Sequence, residues 1–406
     1  MSKDTVIIVD PFSTGALIAP ELKKINIKCY AVLSNPSIPG RIKDSYTGDG
    51  FTDGCLYSAD EIKNIISPDT VLAVIPGAET GVYCAEALSF AYNVERNDYL
   101  TTDWRRKKSD MQKRLYETGL RSISSKLISQ SEDRIDDLNS TSGYVIKPDS
   151  SCLTDGVVFV KNKKEAIEWI SKINWNKKNI MGVKNGFYLV QEKLEGEEFV
   201  VDLVVGHKGI KVCALCRYKK GLHNGSLFVY ESLDVLDIND QSYASIIEYA
   251  KKASCALGVE FGLAHIEIMN TANGPTMIEL GARLHGGIAP LLFEECYSPG
   301  LLKSSIELLI NEFDITPSIL IKKARIVFLV NENESFSIPD AHGLENKLND
   351  IHGVNHIKLF IKNNENIPLT TDLSNCPGIV SIVADTDIEL DFLEREVRSI
   401  FQNNEV

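Results

Sequence analysis

A chain of 406 residues, 44% hydrophobic and 24% charged, has ordinary globular composition and enough length for two or three packed domains. Its formal net charge of −13 makes an acidic surface that repels nucleic acid and anionic membrane, and no apolar run approaches the roughly 20 residues of a membrane span, so neither partner is expected. The start, "MSKDTVIIVDPF", lacks signal-peptide architecture and the nine cysteines are scattered, which together point to a cytoplasmic protein with reduced thiols.

In chain order, "TVIIVD" (5–10) reads as a buried strand, followed by a Gly-containing turn and a helix. "KCYAVLS" and "VLAVIPG" (71–77) are further strands with helical stretches between them. This βαβ alternation predicts a parallel sheet and a Rossmann-like domain over 1–100, without the GxGxxG dinucleotide fingerprint. Residues 109–119 read as a helix with Ser109 at its N-cap and Gly119 near its end. A β-rich stretch with one helix near 163–172 follows, then a helix over 241–257 and a strand pair over 259–280. Strands "KKARIVFLV" and "GIVSIVAD" and a last helix, 386–401, make a small α+β cap from 312 to 406. Cys213 and Cys216 form a CxxC in an apolar strand with no second pair for zinc, so they read as structural. The fold class is mixed, α/β and α+β.

The sharpest constellation lies in "GLAHIEIMNTANGPTMIELGARLHGG", from Gly262 to Gly287. Asn273-Gly274 is a strong hairpin signal, and a hairpin symmetric about Asn273 sets Glu267 opposite Glu279. Facing side chains have Cβ atoms about 4.5–5.5 Å apart, where like charges repel. A divalent cation between them removes the repulsion, and Mg²⁺ takes carboxylate and phosphate oxygens. His265 shares that face, two residues before Glu267. Two solvated glutamates on an edge hairpin are the bland alternative, but Ile266, Ile268, Met277, Ile278 and Leu280 argue for burial. Arg283 can reach phosphate oxygens bidentately, and Gly286 and Gly287 after His285 allow close approach of backbone to a ligand; a surface ion pair would use the same arginine.

A second constellation has the make-up of a nucleotide slot. "GYVIKPDSSCLTDGVVFV" places Lys147 at a strand end before a Ser/Asp-rich loop, 149–155. "FYLVQEKLEGEEFVVDLVV" places Glu192-Lys193-Leu194 between two apolar strands, where exposed backbone groups can meet an adenine edge and Glu198 a ribose. A charged β-turn is the alternative reading of that crossing. Glu79, in "IPGAETG", is either a substrate contact at a strand end or a carboxylate stabilising a helix N-terminus.

The order of a helix-borne Lys in "KSDM", "VIKP" with its Ser-rich loop, "QEKLEGEEF" and then "HIE…IELGAR" resembles the ATP-grasp superfamily over residues 108–287. The "GLAHIE" and "IELGARLHGG" strings are most similar to its L-amino-acid ligases. The resemblance implies an ATP-grasp fold: the Rossmann-like domain (1–100), an ATP-grasp domain (101–311, with subdomains 101–185 and 186–311) clamping the nucleotide, and the cap. It implies an ATP-dependent carboxylate–amine ligase that makes an acyl phosphate and joins two amino acids, releasing ADP and phosphate. ATP and Mg²⁺, with Mn²⁺ as a substitute, are the implied cofactors, and amino acids and a second copy in a homodimer the implied partners.

By that resemblance Lys108 and Lys147 hold the α/β-phosphates, with Ser150, Ser151 and Thr154 as hydroxyl contacts. Glu192, Lys193 and Leu194 line the adenine and Glu198 the ribose. Glu267 and Glu279 hold the metal. Arg283 holds the transferred phosphate or acyl phosphate, with Lys147 and His265 completing the catalytic set. Glu79, His285, Gly286 and Gly287 face the substrate. Loop 149–155 and segment 218–228, with Gly221 and Gly225 as hinges, are the lid candidates. Two positions depart from the family pattern: Gly281 stands where an Asn is usual, and the phosphate loop is poor in glycine. The same chemistry allows attachment of an amino acid to a carrier protein or non-peptide amine, or carboxylation. A non-catalytic nucleotide-binding regulator is the reading from another class, and the retained glutamate pair speaks against it.

Overall fold

The computed structural model describes residues 3–131, 134–151 and 155–403. Strands β1 (Thr5–Val9), β2 (Lys28–Leu33), β3 (Leu56–Ser58) and β4 (Val71–Pro76) form a parallel sheet in the order β3-β2-β1-β4. Every residue of β1 is buried, as a central parallel strand covered on both faces requires. Helix α1 (Val82–Tyr92) packs on β4. Helix α2 (Lys108–Glu117) begins the next region.

The N-terminal layer is fastened to the rest by one buried arginine. Arg105 is fully buried and grips Glu86 of α1 at 2.7 and 2.8 Å. Its other N–H groups donate to the carbonyls of Leu257 and Gly258, at 2.8 and 3.0 Å. Asn97 Oδ1 adds bonds from the backbone N–H groups of Glu260 and Phe261.

Strands β5 (Ser125–Ile128), β6 (Tyr144–Pro148), β7 (Val158–Val160) and β8 (Tyr188–Glu192) make an antiparallel sheet, ordered β5-β8-β6-β7. The largest sheet starts with β9 (Glu197–Gly206), β10 (Gly209–His223) and β11 (Ser226–Val235). It continues through β12 (Gly262–Thr271) and β13 (Gly274–Gly281), flanked by helix α3 (Ala244–Ala256). Strands β14 (Lys323–Phe328), β15 (Val354–Leu359) and β16 (Gly378–Ala384) join the same sheet, giving the order β13-β12-β9-β10-β11-β14-β16-β15. The region expected to be a small cap thus extends the central sheet, while keeping its own apolar cluster under the last helix, Asp387–Gln402. Cys213 and Cys216 are buried free thiols in β10.

The segment 218–228, expected as a glycine-hinged lid, is the far end of the β10–β11 hairpin. Gly221 is paired with Val229 inside the ladder and is no hinge. Only Asn224 (φ 51°) and Gly225 (φ 79°) form the turn, both left-handed, as a two-residue hairpin loop demands. Asn224 Nδ2 donates to the carbonyls of Asn331 and Thr370, at 2.9 and 2.8 Å, pinning the tip to the C-terminal region.

Candidate active site

The β12–β13 hairpin carries the acidic pair. Thr271 pairs with Gly274, so the tight turn is Ala272-Asn273 and the pairs beside it are one residue out of the register that symmetry about Asn273 requires. A bulge at Ile278 restores the register, and Glu267 pairs with Glu279 on one face. Helix α2 lies over this hairpin, with Gln112 Nε2 donating to the Met277 carbonyl at 3.0 Å.

Ser109 is not the N-cap of α2. Lys107 holds that position, and the exposed N–H groups of the first turn are met from outside the helix. Asp149 accepts them: its carbonyl from the Lys108 N–H at 3.0 Å and its Oδ1 from the Ser109 N–H at 2.8 Å. This fixes the buried Lys108 so that its Nζ donates to Glu279 Oε1 at 2.8 Å and to the Ser151 carbonyl at 2.9 Å.

Glu267 is held on the other side, with Oε1 3.7 Å from His265 Nε2. Burial pushes its carboxyl up, but His265, Lys220 and Arg283 outweigh that and keep it well below the usual range. Both glutamates are therefore held by cations: the repulsion expected between them is relieved from each side. An all-oxygen donor set of two carboxylates beside two buried lysines fits a hard divalent cation such as Mg²⁺.

Lys147 is buried at the end of β6. Burial and the nearby Lys108 push its pKa down to about 8, against the pull of Glu279, Glu267 and Glu198. Lys147→Met is expected to weaken ATP binding by about 10–100-fold, the worth of a charge-assisted bond. In the nucleotide-free protein it is expected to stabilise the fold at pH 7 by roughly 1–3 kcal/mol. The sign follows from a folded pKa below the unfolded value near 10.5: the burial penalty is full below about 8 and is relieved as pH rises toward 10.5. Titration calorimetry and denaturant melts across pH 6–10 check both, and unchanged ATP affinity would remove Lys147 from the site.

Glu198 is buried with Oε2 2.6 Å from Lys220 Nζ, which sits 4.4 Å above the Tyr230 ring. Burial raises its carboxyl above the ordinary value despite that lysine. Glu192, Lys193 and Leu194 are half-buried at the crossing from β8 to β9. The Glu192 carboxylate accepts from the Ser124 N–H at 3.0 Å, and the Lys193 N–H donates to the Gly143 carbonyl at 2.9 Å. Ser150 is half-buried with its carbonyl bonded to Asn179 Nδ2 at 3.1 Å; the buried Ser151 donates its hydroxyl to Asp155 Oδ2 at 3.0 Å. Thr154, and with it part of the 149–155 loop, lies outside the described residues.

Glu79 is neither a solvated helix-end carboxylate nor an open substrate contact. It is buried, hydrogen-bonded by Arg106 and 3.1 Å from Arg283 Nε. Burial opposes its ionisation, but Arg106, Arg283 and Lys108 hold its carboxyl below the ordinary value. The pair also accounts for Gly281. A Cβ there would lie 3.2 Å from Arg283 Cζ and 3.3 Å from Glu79 Oε2, so the ion pair fills the space an asparagine side chain would need. Arg283 Nη1 donates to the Leu284 carbonyl at 2.7 Å. Gly286 and Gly287 follow in an open turn; only Gly287 has a positive φ, 69°.

Asp202 is the residue that motif reading passed over. It sits on β9, opposite His265, with both oxygens engaged: Oδ1 3.0 Å from His265 Nδ1 and Oδ2 2.8 Å from His285 Nδ1. All three are buried, and the imidazole centroids are 4.3 Å apart. His285 therefore faces Asp202 through Nδ1 and is not open to solvent. Burial opposes a charge on Asp202, but the two imidazoles hold it well below the usual carboxylate range. Burial likewise opposes a charge on His265, yet Asp202 and Glu267 raise it to about 9. His285 is lowered by burial and by the neighbouring His265 charge, against Asp202. A lone acid in "EEFVVDLVV" was the available signal, since a charge inside an apolar strand needs a buried partner.

Residues 140–290 match the ATP-grasp domain family. The chain is 26% identical to dapdiamide A synthase of Enterobacter agglomerans, over 98% of this chain and 96% of that protein. It is 29% identical to the L-arginine-specific L-amino acid ligase of Bacillus subtilis over 31% of this chain and 30% of that one. Among solved structures, an L-amino acid ligase from Bacillus licheniformis superposes with a TM-score of 0.74 at 18% identity, covering 98% of this chain and 97% of that one. An ADP complex of N5-carboxyaminoimidazole ribonucleotide synthetase superposes at 0.68 and 15% identity over 100% and 98% of the two chains. Among the described residues no helix is long and apolar enough to cross a membrane.

Proposed function

We propose that this chain, whose residues 140–290 match the ATP-grasp domain family, is an ATP-dependent carboxylate–amine ligase that joins two L-amino acids through an acyl phosphate. The observation that carries the reading is the convergence of the buried Lys108 and Lys147 with the half-buried Glu267–Glu279 pair in one corner between the two antiparallel sheets. Resemblance along the whole chain to a dapdiamide A synthase supports small-molecule substrates.

In this reading the β8–β9 crossing receives the base and Glu198 the ribose. Lys108 and Lys147 take the phosphates, with the Lys108–Glu279 bond exchanged for a Lys108–phosphate bond. Glu267 and Glu279 would hold Mg²⁺, which supplies charge neutralisation on the phosphoryl oxygens. A substrate carboxylate oxygen attacks the γ-phosphorus in line as the bond to the β-bridging oxygen breaks, leaving ADP and the acyl phosphate. Arg283 is placed to hold the acyl phosphate, with Glu79 fixing its orientation. The neutral amine of the second amino acid then attacks the acyl carbon; phosphate leaves and the amine proton is lost.

The test is ADP release with Mg²⁺ over the twenty amino acids, singly and in pairs. A dipeptide product with stoichiometric ADP and phosphate is expected. Turnover only with a carrier protein, or only with bicarbonate, would overturn the amino-acid reading.

A further inference from the structure

The Glu79–Arg106–Arg283 chain has a second side that the phosphate chemistry does not use. A cavity of about 290 Å³ opens there, between the N-terminal sheet and the β6–β8 region. Its walls include Ile38, Tyr83, Met181, Val183 and Phe187, and it reaches Asp149 and Ser150 of the phosphate loop. Val183, Phe187 and Tyr83 are 55, 50 and 43% exposed, so three large apolar side chains meet solvent around one concavity. Such clustering marks a ligand site more than scattered surface apolarity does. The volume sits at the lower end of the roughly 300–1,000 Å³ common for small-molecule pockets, which suits a single amino acid.

A polar anchor lies at the cavity wall. Arg106 is 5% exposed, and its guanidinium is only partly used. Nη1 bonds Glu79, Nη2 meets the Met181 sulfur at 3.9 Å, and the buried Nε has no hydrogen-bond partner. A buried, unsatisfied guanidinium N–H is costly unless a ligand completes it, and a carboxylate matches its geometry.

We propose that this cavity binds one of the two substrates, an α-amino acid with an aliphatic or aromatic side chain, its carboxylate on Arg106 Nε and its side chain among Tyr83, Met181, Val183 and Phe187. The inference rests on the amino-acid ligase reading and adds the substrate class and the residues that select it.

Gly186 gives a clean test. It lines the cavity, its φ is ordinary, and a Cβ there would meet nothing within 4 Å, so Gly186→Phe narrows the cavity without backbone strain. ADP release is measured with saturating ATP and a fixed partner amino acid while leucine or glycine is varied. The leucine-over-glycine ratio of kcat/KM is expected to exceed tenfold, and G186F to lower it at least tenfold. Leucine and leucinamide are also titrated calorimetrically onto the ADP–Mg²⁺ protein. Leucine is expected to bind at least tenfold tighter, and Arg106→Gln to erase that difference. Amino-acid turnover with a ratio untouched by G186F would overturn the cavity assignment alone. Leucine binding that G186F abolishes, without ADP release for any pair, would overturn the ligase reading and keep the cavity's ligand. Neither binding nor turnover would overturn both.

Discussion

Glu279→Gln is expected to lower turnover by on the order of 10³-fold, about 4 kcal/mol of transition-state stabilisation, while ATP affinity falls far less. In the proposed reading Lys108 and Lys147 remain in the variant to hold the phosphates in the ground state. What the substitution removes acts most on charge that develops during transfer. The repulsion between facing glutamates suggests that such a variant should also gain stability without nucleotide. The structure predicts otherwise, because Glu279 is the counter-charge of buried Lys108 at 2.8 Å. Glutamine can still accept from that ammonium but leaves it without its counter-charge, so the nucleotide-free protein is expected to lose stability modestly. Single-turnover kinetics with calorimetric ATP binding separate the two effects. Near-normal turnover at saturating Mg²⁺ would sink the metal assignment.

Why this pair could be found from sequence, when other contacts could not, is a matter of locality. Glu267 and Glu279 are joined by one tight turn, so alternation and an Asn-Gly signal suffice to bring them together. The placement survived an error: the turn sets the pairs beside it one residue out of register and the bulge at Ile278 offsets it. Nothing in the local pattern announces that bulge. The Glu79–Arg106–Arg283 chain joins three distant segments, and no periodicity relates them. Composition also misled at 218–228, where glycine, lysine and asparagine suggested a mobile loop. Those residues form a hairpin arm because Asn224 and Gly225 make a compact turn whose tip is tied down by residues more than 100 positions later. A helix start was misplaced for a similar reason, since the group that satisfies the first turn of α2 is Asp149 and not a neighbour in sequence.

Asp202→Asn is expected to cost about 3–5 kcal/mol of stability, the range for breaking a buried charged pair by removing one partner. It is also expected to reduce turnover by about 10–100-fold, as loss of a residue that orients groups beside the proposed metal ligands does. Asparagine keeps the shape but can accept through only one oxygen, whereas Asp202 accepts from His265 and His285 at once. His265 in turn is the group beside Glu267, so the carboxylate loses its oriented neighbour. The pH dependence follows from the two shifts. His265 has a folded value near 9, above its unfolded value near 6.5. Its share of the stability is therefore full below about 6.5 and is lost as pH rises through 9. Asp202 is shifted down, so its share is full above about 3.9 and is lost as pH falls toward its folded value. The stability gap between wild type and D202N should then be widest between about pH 4 and 6.5 and should narrow on either side. Denaturant melts of the nucleotide-free protein in chelator measure this directly. A gap that stays constant from pH 6 to 10 would mean that His265 carries no charge against Asp202, and the aspartate would then be a packing residue and not the group that sets the orientation of the two imidazoles.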